Sequence, residues 1–139
     1  MGIPDDFDWV TARNNCSIRG VFEILRLQIE NDVKIRNDQL QSEGKRKYSY
    51  GITVVLGGGI VVYLEGEGVE GFVGTSQSVA LSITQNGGIL ACDENNEPIL
   101  EAYPTTSDDG KCRLKVNGQE RELWHVRKTV LEKLFFHTH

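Results

Sequence analysis

The hydrophobic period of this chain changes sharply after Gly44, and that change limits the folds open to it. From Ser17 onward Ile18, Val21, Phe22, Leu25, Ile29 and Val33 recur at steps of three and four, which lays one apolar stripe along a helix. Ser17 supplies an oxygen for the free amides of the first turn, and Gly44 stops the helix. The opposite face carries Glu23, Arg26, Glu30, Asp32, Lys34 and Arg36, so it points to water. Beyond Gly44, Tyr48, Tyr50, Ile52, Val54 and Leu56 alternate with Ser49, Gly51 and Thr53, which is the period of a strand buried on one side.

Turn residues then recur at hairpin spacing. Gly57-Gly58-Gly59 reverses the chain into residues 60–64, and Asn86-Gly87-Gly88 separates the alternating run 78–84 from 89–92. The acidic and amide-rich turn 93–96 leads into 99–103, and 107–110 leads into Cys112, Leu114 and Val116. After Asn117-Gly118 the pattern reads as helical again, through Leu123, Val126, Val130, Leu131, Leu134 and Phe135. Connections this short favour antiparallel pairing, because a parallel crossover needs about a dozen residues or more. The predicted fold is α+β: an N-terminal helix, an antiparallel meander of about six strands and a C-terminal helix.

A helix of about 24 residues is about 36 Å long, whereas six strands at about 4.8 Å spread about 24 Å. One helix can therefore cross the whole sheet, and two layers with both helices on one sheet face satisfy the pattern. The 139 residues, 39% of them apolar, suffice for one core and one domain over residues 1–139. Residues 1–16 read as a partly ordered N-terminal arm and 41–47 as a flexible loop. Aliphatic Val55, Val61 and Leu100 fall out of phase with the apolar faces of their strands. They mark the nominally open sheet side as greasier than a wet face requires.

Charge and cysteine usage exclude several function classes. Twenty acidic against fifteen basic residues leave a net charge of -5, which argues against a broad phosphate-neutralising surface for nucleic acid. The small basic groups Lys45-Arg46-Lys47 and Lys111, Arg113 and Lys115 read either as a local anionic contact or as edge-strand protection against aggregation. No apolar run is long enough to span a membrane, and the start MGIPDDFDW has neither the basic nor the apolar region of a signal peptide. Asp6 stands where a myristoylation start wants Ser or Thr. The expected location is the cytoplasm, with no membrane contact. Cys16, Cys92 and Cys112 are odd in number and widely spaced, so they are expected as reduced, buried thiols rather than a disulfide framework.

Gly66-Glu67-Gly68-Val69-Glu70-Gly71 matches the dinucleotide pattern GxGxxG after a predicted strand. Glu67 and Glu70 would place carboxylates where a pyrophosphate sits, and a strand follows where a helix is needed. The motif reads as a glycine turn. His125, His137 and His139 with the three cysteines lack the close paired spacing of a structural zinc site. There is no GxSxG elbow and no Cys/His signature for nucleophilic catalysis. No catalytic, cofactor-binding or metal residue is assigned.

What remains is a non-enzymatic interaction or regulatory domain acting through protein–protein contacts, with self-association as a two-fold homodimer and a protein partner of unknown identity. Its candidate interface residues are Val55, Val61, Leu100, Trp9 and Phe136. The competing expectation is a small-ligand carrier or enzyme with an apolar cavity between the helices and a curved sheet.

Overall fold

In a computed structural model, residues 4–45, 47–66 and 77–136 are described. Helices α1 (Trp9–Asn15) and α2 (Ile18–Ser42) precede seven strands: β1 (Tyr48–Val54), β2 (Ile60–Gly66), β3 (Ser78–Ile83), β4 (Ile89–Asp93), β5 (Pro98–Thr106), β6 (Cys112–Val116) and β7 (Gln119–Arg121). Helix α3 (Leu123–Phe136) follows. The strands form one sheet in chain order, and every neighbouring pair is antiparallel. The α+β meander between helices is therefore the observed fold.

The ends of α2 obey local chemistry. Ser17 Oγ accepts the Gly20 amide at 3.1 Å. At the other end Lys45 N donates to Leu40 O and Gly44 N to Gln41 O, the crossed pair of bonds by which a helix satisfies its last carbonyls around a left-handed residue. Because that cap forms at Gly44, α2 runs on through Ser42 and takes in the first residues of the expected 41–47 loop. Within the expected N-terminal arm, Asp8 caps α1 by accepting the Thr11 amide at 3.0 Å. The Thr11 hydroxyl also donates to Asp8, at 2.6 Å, and these bonds hold the carboxyl below its ordinary range. No residue of α1 is buried, so this helix carries no apolar stripe that periodicity could detect.

One more strand forms than the six expected. Asn117 and Gly118 have φ of 53° and 80°, two successive left-handed residues that match the twist of a tight hairpin. The turn sends β7 back along β6, with Val116 opposite Gln119, before α3 begins. The three residues of β7 are too few for alternation to register.

The core lies between the helices and alternate strand positions. Val21, Leu25, Ile29, Val33 and Leu40 of α2 and Val126, Val130, Leu131 and Leu134 of α3 join one cluster with Ile60, Val62, Leu64, Val79, Leu81, Ile89, Ala91, Ala102 and Leu114. Helix α2 contacts β1 and β5, and α3 contacts β3, β5 and β6. On the opposite sheet side the Tyr63 ring lies across Gly51, where a Cβ would come within 2.4 Å of it. Glycine at 51 thus lets the ring lie flat against the backbone.

Several expectations need correction. Arg36, expected on the wet face of α2, is buried because its guanidinium reaches the Phe135 carbonyl of α3. Val54 and Leu56, expected on the buried side, are exposed because β1 ends at Val54 and the chain turns there. Leu100 pairs with Ala91, and Cys92 pairs with Pro98, so Ile99 is the extra residue of a bulge. Leu100 lies opposite the buried Ala91 and two residues from the buried Ala102, so it packs against the core instead of the open side, and the bulge lets Ile99 pack there as well. The cysteines are also not all reduced: Cys16 and Cys112 form a disulfide with Cα atoms 5.5 Å apart, and Cys92 remains a buried thiol. Its partners are 96 residues apart in sequence, a juxtaposition that only the closed fold creates.

Candidate interaction surface

Helices α2 and α3 are joined by polar contacts. Arg36 is 6% exposed, yet its charge is accommodated: Nε donates to Phe135 O at 3.2 Å and an Nη atom donates to Gln39 Oε1 at 3.3 Å. The Tyr50 hydroxyl donates to Leu134 O at 2.8 Å. Both groups satisfy carbonyls at the C-terminal end of α3, where a cation is favoured by the helix dipole. Further along, Arg127 Nη donates to Gln28 Oε1 at 2.6 Å. Arg127 Nε stands 3.0 Å from Asp32 Oδ2 as an ion pair without the alignment of a hydrogen bond. Burial pushes the Asp32 carboxyl up, against the opposing pull of Arg127.

Beside these contacts lies a groove of about 320 Å³ whose lining includes Ile35, Arg36, Trp124, Leu131 and Phe136. Its exposed edge carries large apolar side chains beside the charged Lys128 and Glu132. Trp124 and Phe136 are each 56% exposed and Ile35 is 47% exposed. The Arg36 guanidinium lies 4.3 Å from the centre of the Phe136 ring, and Trp124 stacks on His125 at 5.2 Å. Between the two aromatics on α3, Lys128 and Glu132 form an ion pair at 3.2 Å with both side chains about half exposed. Trp124, Lys128, Glu132 and Phe136 stand four residues apart in succession, which places them on one ridge of the helix.

The expected interface residues do not share one patch. Val61 is half-buried, opposite Thr53 and Ala80, on the sheet side away from the core, whereas Leu100 packs toward the core. Val55 is exposed in the β1–β2 connection, beside Val54 and the fully exposed Leu56. Trp9 is exposed on α1 and Phe136 closes the α3 ridge. Trp124 and Ile35 were absent from the expected set. For Trp124 the signal is present in the four-residue spacing to Lys128, Glu132 and Phe136, whereas Ile35 joins the groove only through the packing of α2 on α3.

The polar clusters elsewhere have structural partners. Arg113 grips Asp109 through both Nη atoms at 2.8 Å and Glu122 through Nε at 2.8 Å. Its hydrogen bonds hold the Asp109 carboxyl down at about 2. Burial, then Asp93 and Glu97, push the Cys92 thiol up, away from the thiolate that nucleophilic chemistry requires. Among the described residues, no three His, Cys, Asp or Glu side chains converge as a metal-binding group. No helix among them is long and apolar enough to cross a membrane. Of the GxGxxG motif only Gly66 is described, at the end of β2 opposite Tyr48; its other residues, Glu67 and Glu70 among them, lie outside the described residues.

No protein-family model, curated protein or solved structure matches this chain.

Proposed function

We propose that this chain is a non-enzymatic interaction domain that acts through protein–protein contacts and pairs with a second copy of itself. The observation that carries this reading is the pair of half-exposed aromatics, Trp124 and Phe136, on the rims of the α2–α3 groove. Aromatic side chains bury about 150–250 Å² each, and rigid aromatic anchors supply much of the affinity of protein interfaces. Closed two-fold pairing is the commonest assembly of soluble chains.

A small-ligand carrier would need an apolar cavity between helices and sheet. The two spaces between α3 and the sheet, about 270 and 210 Å³, are smaller than the α2–α3 groove and carry polar and charged side chains, Arg121 and His125 in one and Asp93, Glu94 and Lys133 in the other, which favours the interaction reading. Residence in the cytoplasm belongs to the same proposal. Cys16 is 2% exposed and Cys112 is partly buried, so thiolate attack on the Cys16 sulfur is hindered.

Light scattering at micromolar concentration tests the reading. The expected mass is that of a dimer, and a monomer at every concentration up to about 100 μM, a weak-binding range, would defeat it.

A further inference from the structure

We infer that the two-fold contact runs along the ridge Trp124, Lys128, Glu132 and Phe136 of α3, with α3 of the second copy lying across it in near-antiparallel orientation. The inference rests on the proposed self-association and says which surface performs it. Its basis is the symmetry of the ridge. Trp124 and Phe136 stand six residues on either side of Val130, and Lys128 and Glu132 stand two residues on either side. A two-fold axis at the level of Val130 therefore sets Trp124 against Phe136 of the second copy and Lys128 against Glu132 of the second copy. By the same operation each contact occurs twice, as an isologous interface demands.

The charge order is what selects this occupant. Lys128 and Glu132 are side by side at 3.2 Å and about half exposed, so a second copy placed antiparallel extends the pair into an alternating four-charge cluster. Arg127 and Asp32 already face each other inside the molecule and leave the ridge as the outward charged feature of this face of α3. Twelve residues of helix span about 18 Å, long enough for two aromatic contacts to flank the charged centre. A bilayer fits the ridge poorly, because its centre would carry both charges into the apolar phase.

The test uses charge exchange on the full chain, followed by sedimentation equilibrium and light scattering. Lys128→Glu makes the ridge wholly acidic and Glu132→Lys makes it wholly basic. Each alone is expected to weaken self-association by roughly tenfold or more, as paired surface charges become like charges on both sides of the axis. An equimolar mixture of the two variants is expected to recover the dimer mass, and so is the double variant, which restores the alternating order. Because both side chains are half exposed, far-UV circular dichroism should be unchanged. Self-association undiminished in either single variant, or a mixture that stays monomeric, overturns the α3 contact. A monomeric unaltered protein overturns the self-association reading beneath it.

Discussion

The side-chain amide of Asn37 behaves toward Tyr50 as a neighbouring strand would: Oδ1 accepts the Tyr50 amide at 2.7 Å and Nδ2 donates to the Tyr50 carbonyl at 3.0 Å. Tyr50 lies in β1, the edge of the sheet. The amide and carbonyl of one strand residue project to the same side, so Asn37 covers groups that point away from β2. An uncovered edge is a template for pairing with other chains. Helix α2 thus protects the sheet edge while packing on its core face.

Replacing Asn37 with Ala removes both bonds, and each contributes about 1 kcal/mol. Urea denaturation is expected to show a loss of about 2 kcal/mol, accompanied by faster aggregation on agitation as the β1 edge becomes available. An unchanged midpoint with unchanged solubility would contradict the edge role.

Leu25 of α2 and Leu81 of β3 are 1% and 2% exposed and belong to the same core cluster. Truncation to Ala deletes buried methyl groups and leaves a cavity, so each variant is expected to lose about 2–5 kcal/mol. Losses below about 0.5 kcal/mol at both positions, the size of ordinary surface effects, would contradict the assignment of the buried faces.

The Cys16–Cys112 bond closes a loop of 96 residues and restricts the unfolded chain strongly. Replacing both cysteines with Ser is expected to cost about 2–4 kcal/mol. In denaturant without reductant, a thiol reagent should find one reactive group, Cys92. Three reactive thiols under those conditions would show the bond to be absent.

Acid should weaken the fold partly through Asp109. Its carboxyl is held down to about 2 from an ordinary value of 3.8 by the hydrogen bonds from Arg113. A depressed carboxylate stabilises the folded state fully above its unfolded value. That contribution fades as pH falls from about 4 and is gone below about 2. Asp109→Asn should therefore lower stability at pH 6 and show a shallower decline between pH 4 and pH 2 than the unaltered protein, measured by urea midpoints. Parallel declines in the two proteins would exclude Asp109 as a contributor.

Much of the fold can be read from short-range pattern. The stripe from Ile18 to Val33, the Ser17 cap and the alternation beginning at Tyr48 each describe residues that are neighbours in sequence; the stripe and the cap reappear in α2, and the alternation holds in β1 as far as Ile52. Segments too short to carry a period escaped: α1 depends on its Asp8 cap, and β7 on the left-handed pair Asn117-Gly118. The interface residues were harder to place. Phe136 was legible as a large apolar group at an element end, but Leu100 was misassigned because Ile99 is a bulge residue, so the phase it suggests does not hold for Leu100 and Ala102 beyond it.

By itself the sequence determined the order of elements, their antiparallel connection and the inward stripe of α2 from Ile18 to Val33, because period, caps and turns act over a few residues. Tertiary structure alone decided that Cys16 meets Cys112, that Asn37 reaches Tyr50, that Arg36 closes the end of α3, and that Ile35 joins Trp124 and Phe136 around one groove. Those relationships join residues from different elements, and their geometry depends on how helices and sheet pack, which no local period encodes.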